Sequence, residues 1–323
     1  MATATLLLAG RGGAGAPAET SPTSRASATS VMPSPAASAT PSATPDLVFD
    51  GDCSAVVDEA TLTSITGTAV VAHAVAETTP SYAAIPTLGG INCLWVDPTD
   101  FMFNWSVIVL PLATGELPEA ARTDCNLPTC IFTATGPGFQ AFGVFQGPDG
   151  NAETMAAHGA RAAERISSLD PGVTEPYVPV DPWPSDLDCT TVDRNRAVAA
   201  ALGSADTAAG GSGGDFEPNT GFTTAYHRVG VVTCYWAIGT GSFSAEISPG
   251  AGWHRDAVGA EPGVTEVSIE GVDAAYIRDS RIEVFSGSNW FTFRGYADGA
   301  SMDIGALLAG AGALTSNLDG MIQ

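Results

Sequence analysis

A Cys, one spacer and a Trp sit inside an apolar run at Gly89–Pro98, GGINCLWVDP, and the unit returns at Val231–Thr240 as VVTCYWAIGT. No other feature constrains the fold as much, because the stretches around the two units align over most of the chain. Cys53 and Cys189 each open a helix-like segment, CSAVVDEATLTSITG and CTTVDRNRAVAAALG, closed by Gly67 and Gly203. Gly suits a helix C-cap there, since it enters the left-handed conformation without a Cβ clash. A variable Thr/Ala-rich or Gly-rich stretch leads to the Cys-x-Trp strand. Further β-like runs follow: FMFNWSVIVLPL and SFSAEISP, then CIFTATG and FQAFGVFQ in the first copy, AAYIRDSRIEVFSG and NWFTFRG in the second. In the last two, apolar and polar residues alternate, as in half-buried strands. Each copy then turns on Gly and Asp and closes with a helix-like segment ending in Leu-Asp, at Asp170 and Asp319.

This shared order predicts an α+β fold of two tandem domains. Each is an antiparallel sheet flanked by an N-terminal and a C-terminal helix. Copy 1 covers residues 47–170 and copy 2 residues 187–323. Between them, residues 171–186 read PGVTEPYVPVDPWPSD, and the five prolines make a semi-rigid spacer. Trp183 within it is placed to pack on a domain.

The six cysteines suggest three disulfides, and the repeat narrows their pairing. Equivalent bonds join Cys53 to Cys93 and Cys189 to Cys234, pinning the first helix to the Cys-x-Trp strand. A loop of about forty residues closed in this way constrains the unfolded chain by roughly 4 kcal/mol. Trp95 and Trp236 stand two residues past the strand cysteine and so face the same side, toward the core. Cys125 and Cys130, in CNLPTC, lack partner positions in copy 2 and read as a local bond. Their spacing suits neither a redox pair nor a zinc site.

Residues 1–16 begin MATATLLLAG and resemble part of a signal with a lipobox, but Arg11 stands where the lipid-bearing Cys belongs: either the start falls inside a longer signal or the lipid-bearing Cys is lost. Residues 17–46 are almost entirely Pro, Ala, Ser and Thr and predict a disordered tether, spanning roughly 30 Å as a random coil. The basic residues are twelve scattered Arg against 35 acids, a net charge of −23. That balance excludes nucleic acid as a partner, because a phosphate backbone is bound by clustered bases. Membrane contact is expected only through a lipid or signal anchor, since no run of about 18 apolar residues occurs. These features predict export and residence at the cell surface or envelope.

The early Cys before a helix, the later Cys-x-Trp strand, the lipoprotein-like start and the Pro/Ser/Thr tether together resemble the actinobacterial exported lipoproteins of the DUF3558 type, in two copies. That group is similar to PsbP-like and Mog1-like proteins, α+β modules of accessory or binding role. The resemblance implies no catalytic residues.

Motifs of catalysis are absent: no His-Glu-x-x-His, Gly-x-Ser-x-Gly, P-loop or calcium loop occurs. GGSGGD reads as a flexible loop. His73, His158, His227 and His254 are far apart in sequence. The expectation is therefore a protein without catalytic, metal or cofactor residues, binding a partner or small solute with an interdomain groove as its default site. The alternative is an envelope hydrolase with a dispersed acidic and His site. Trp253, His254 and Arg255, in PGAGWHRDA, are the candidate binding residues, because an aromatic, a His and an Arg on a Gly-rich loop suit recognition.

Overall fold

From Val48 onward the chain runs twice along one path, in a computed structural model that describes residues 44–322 apart from 76–78, 101–102, 114, 117, 119, 127, 148–150, 173–175, 205, 207, 213–219, 240 and 297–302. The signal-like segment and nearly all of the Pro/Ser/Thr tether lie outside the described residues. The first passage gives α1 (Cys53–Val56), α2 (Glu59–Thr66), β1 (Val71–His73), α3 (Pro80–Thr87), β2 (Ile91–Val96), β3 (Asn104–Pro111), β4 (Arg122–Asn126), β5 (Thr129–Gly136), β6 (Phe139–Gln146) and α4 (Ala152–Ser167). The second gives α5 (Cys189–Val192), α6 (Ala197–Leu202), β7 (Ala209–Ser212), α7 (Thr220–Val229), β8 (Val232–Ile238) and β9 (Gly241–Ser248). It continues with α8 (Arg255–Gly259), β10 (Thr265–Val267), β11 (Ala274–Arg278), β12 (Arg281–Ser286), β13 (Asn289–Tyr296) and α9 (Ile304–Asp319).

Both sheets are antiparallel, so the fold is α+β with two tandem domains. Sheet 1 has the order β1-β2-β3-β6-β5-β4, and sheet 2, read from its other edge, β7-β8-β9-β13-β12-β11-β10. The two orders coincide, with β10 added at the edge of the second.

The helix expected after each first cysteine is broken in two. Asp58 starts α2 by accepting from the Thr61 amide at 2.8 Å. In copy 2, Asn195 and Arg196 adopt positive φ and turn the chain before α6. Gly67 and Gly203 do close these helices in the left-handed conformation, at φ 76° and 71°. AAYIRDSRIEVFSG is likewise not one strand but the hairpin β11–β12, turning at Asp279 with φ 54°.

The disulfides join Cys53 to Cys93, Cys189 to Cys234, and Cys125 to Cys130. The first two span equal Cα distances of 5.5 Å, and the third links directly opposed residues of the β4–β5 hairpin. Trp95 is buried opposite Trp105 of β3, and Trp236 opposite Phe243 of β9. Each belongs to the core between its sheet and its terminal helices. The Trp236 indole donates to Asp193 Oδ2 at 3.0 Å. Asp193 is buried, and its carboxylate also accepts from the amides of Val198, Ala199 and Ala208.

The opposite faces of the sheets are covered by exchange. Helix α7 of copy 2 packs on β3 and β6 of sheet 1, while α3 of copy 1 packs on β9 of sheet 2 and against α7. A shared apolar cluster results, holding Ile85, Ile108, Leu110, Phe142, Tyr226 and Val229. At roughly 1.5–3 kcal/mol per large side chain, the cluster contributes on the order of 10 kcal/mol to docking the halves.

Candidate functional site

The linker is the scaffold of the site, so its fixation comes first. Trp183 is buried in the core of copy 2. Its amide donates to Asn289 Oδ1 at 2.8 Å and its indole to Asp319 Oδ1 at 3.3 Å. Asn289 gathers the neighbouring backbone as well, accepting from the Gly250 amide at 3.2 Å and donating to the Asp181 carbonyl at 3.3 Å. Gly250 has φ 77°, and a Cβ there would meet Pro179 at 3.1 Å, so linker and turn approach closely. The linker is thus held on copy 2 by specific hydrogen bonds as well as stiffened by proline.

Two adjoining cavities open where this strap crosses between the halves. They hold about 520 Å³ and about 360 Å³ and share Thr87, Leu88, Tyr177 and Arg228 in their walls. Both fall within the roughly 300–1,000 Å³ of small-molecule sites. Copy 1 supplies the end of α3 and the turn after β3, copy 2 supplies α7, and the linker supplies Pro176, Tyr177 and Pro179. Arg228 is the cation of the groove. Its Nη1 donates to the Pro111 carbonyl at 2.8 Å and lies 3.7 Å from Glu116 Oε2, tying α7 to copy 1. The walls are largely proline and aliphatic carbon, so the groove offers apolar surface, one guanidinium and the Thr87 and Tyr177 hydroxyls.

Trp253, His254 and Arg255 lie in a different local structure from the loop the Gly-rich sequence predicts. Ala251–His254 is a 3-10 turn running straight into α8, because Gly252 packs against the backbone at Ser288 and Asn289, where a Cβ has no room. The Trp253 indole donates to Thr87 Oγ1 at 3.0 Å, so this Trp bridges copy 2 to the α3 end that forms the groove wall. His254 stacks on Trp290 with ring centroids 5.2 Å apart. Arg255 pairs with its neighbour Asp256 at 3.2 Å.

Behind Trp290 lies Glu283, buried in sheet 2. Its Oε2 accepts from the Trp290 indole at 3.0 Å and from the Thr292 hydroxyl, and Arg281 Nε lies 2.9 Å from Oε1. Burial raises its carboxyl to about 7, against the pull of those hydrogen bonds and of nearby arginines.

Comparison of the chain with protein-family models, with curated proteins and with solved structures finds no match. The site therefore rests on its own geometry. Among the described residues no group of three or more His, Cys, Asp or Glu is arranged to hold a metal ion, and no helix is long and apolar enough to cross a membrane. The three disulfides point to an oxidising, extracytoplasmic environment. The histidines fall on four separate elements: His73 on β1, His158 on α4, His227 on α7 and His254 in the turn. His158 is lowered by burial and then by Arg161.

Sequence reasoning missed Thr87, Tyr177 and Arg228. Tyr177 and Arg228 carry a signal only in hindsight: an aromatic among linker prolines, and a base in the last turn of an amphipathic helix.

Proposed function

We propose that the protein is an exported or envelope-associated binding module, a tandem DUF3558-like pair, that takes a small apolar anion or an apolar acidic segment of a partner into the linker groove. The observation that carries this is the construction of the groove. Both copies and the strap contribute walls of largely aliphatic carbon, and Arg228, whose Nη1 is held by the Pro111 carbonyl and by Glu116, turns the rest of its guanidinium to the groove as its cation. Export is supported by the disulfides and by the Pro/Ser/Thr-rich stretch at residues 17–46. The recurring strand order and the equivalent disulfides support an origin by duplication.

The test is titration of the full chain with anilinonaphthalene sulfonate, an apolar aromatic anion. One saturable site per chain is expected. Ala113→Trp, which fills the exposed mouth of the groove, and Arg228→Gln should each weaken it about tenfold, in proteins whose thermal melting stays cooperative. Saturable binding that ignores both substitutions, or no saturable binding, overturns the proposal. Thiol labelling of protein taken directly from its native cells tests export: six free thiols would refute it.

A further inference from the structure

Sheet 2 carries a row of residues that sheet 1 does not. Its strands place Tyr235, Ser244, Arg294, Arg281 and Arg278 directly opposite one another across β8, β9, β13, β12 and β11. Directly paired residues share a face, so three guanidinium groups leave the same side of three adjacent strands, spanning roughly 10 Å at the usual strand spacing. Aligning the sheets on Cys93 and Cys234, the same row in copy 1 reads Leu94, Ser106, Val144, Ile131 and Asp124. No base stands in it. A quarter of the twelve arginines of a chain of net charge −23 are therefore concentrated in one row of one copy.

Like charges directly opposite each other in a sheet are destabilising. The protein offsets two of the three. Arg278 pairs with Glu261, and Arg281 with Glu283. Arg294 sits between Arg281 and Ser244, and among the described residues no carboxylate lies within ion-pair distance of it. Its Nη1 instead donates to the Tyr296 hydroxyl at 3.3 Å. Tyr235 and Tyr296 on the same face are half exposed, at 50% and 48%, and flank the row with aromatic surface. Glu283 is a divided partner for Arg281, since its carboxylate also serves the Trp290 indole and the Thr292 hydroxyl.

We propose that this row is a phosphoryl-recognition site, with Arg294 as the anchoring guanidinium, Arg281 and Arg278 as flanking charges, and Ser244 as a hydroxyl donor opposite Arg294. A phosphate monoester fits because its several acceptor oxygens can be shared between the guanidinium fork of Arg294, the one arginine of the row without a carboxylate partner among the described residues, and the Ser244 hydroxyl opposite it. A carboxylate has only two oxygens to share, and because Glu246, Glu283 and Glu266 stand in the neighbouring row of the same face, the selection rests on the number and placement of oxygens and not on net charge. The site is separate from the linker groove, and its failure leaves the groove reading untouched.

The experiment is calorimetric titration of the disulfide-intact chain with inorganic phosphate and with phenyl phosphate, in parallel with succinate, at fixed ionic strength. Saturable phosphate binding is expected, tighter for phenyl phosphate and at least tenfold weaker for succinate. Arg294→Gln should weaken phosphate at least tenfold. Ser244→Glu tests the same point without removing a charge from the fold. It sets a carboxylate opposite Arg294, an arrangement that supports the sheet, and should abolish phosphate binding with unchanged or raised melting temperature. Arg161→Gln, on α4, should change nothing. Absence of saturable binding, binding preserved in Ser244→Glu, or equal response to succinate and phosphate would overturn the proposal.

Discussion

Replacing Asp193 by Asn tests the idea that the second Cys-x-Trp unit is held by a buried carboxylate. Oδ1 accepts from the amides of Val198 at 3.0 Å and Ala199 at 3.2 Å. Oδ2 accepts from the Ala208 amide at 3.2 Å and the Trp236 indole at 3.0 Å. All four partners donate, and a carboxylate is the side chain of this size that accepts on both atoms. Asn turns one oxygen into an N–H₂ group, and either amide orientation leaves two buried donors facing donors. At about 1–3 kcal/mol for each unsatisfied group, the loss is about 4 kcal/mol. That corresponds to a melting temperature lower by roughly 10 °C for a chain of this size. Equilibrium urea unfolding at neutral pH, without reductant and followed by Trp fluorescence, measures it directly. A loss below about 1 kcal/mol would refute the reasoning, because at least one of the two stranded donors should show its full desolvation cost.

Two further outcomes follow from the packing. The Glu283 carboxyl is raised from 4.5 to about 7 by burial, so its contribution to stability is fully present below pH 4.5 and is lost as pH rises through 7. Thermal melting of the wild type should fall across that window by up to about 3 kcal/mol, and Glu283→Gln should flatten the dependence. Gly221→Val drives a side chain into sheet 1, since even a Cβ there would stand 2.9 Å from Ile108 Cβ and 3.0 Å from Phe142 Cβ. It should unseat α7 and cost about 3 kcal/mol as an overpacked interface, with faster amide exchange along β3 and β6 as the reporter.

What could be read from the sequence, and what could not, divides along physical lines. The strands around Cys93 and Cys234, the terminal helices and the three disulfides were legible, because alternation, helical periodicity and paired cysteine spacing are local signals. Helices α3 and α7 were not. α3 reads PSYAAIPT, contains Pro86 and is buried on nearly every side, so it has no polar face to reveal a period. Its stability comes from the two sheets and the helix it touches, which local propensity does not register. The break between α1 and α2 was hidden because Asp58 resembles any helix residue until its side chain is seen to cap Thr61. The arginine row was hidden for a third reason: Arg278, Arg281 and Arg294 belong to three strands, and only the register places them opposite one another.

The exchanged helices also account for where the two sheets differ. Wherever a helix of the other copy lands, a sheet face must be apolar, and sheet 1 meets this with Ile108, Leu110 and Phe142 under α7. In the same register, sheet 2 has Glu246 in the place of Ile108 and Thr292 in the place of Phe142. Polar groups are tolerable there because α3 lands with its first turn, and Glu246 accepts from the amide of Ser81 in that turn. A carboxylate suits the amide groups that a helix N-terminus leaves without partners. The next row along, that of the arginines, lies one step further from the contact and is released from the need to be apolar. Sheet 1 is apolar across its docking face, and sheet 2 bears charge where the dock ends. If the halves were equivalent binding units, the bases would recur in both sheets. Their restriction to sheet 2 sets the two copies apart on this face, while the linker groove takes its walls from both.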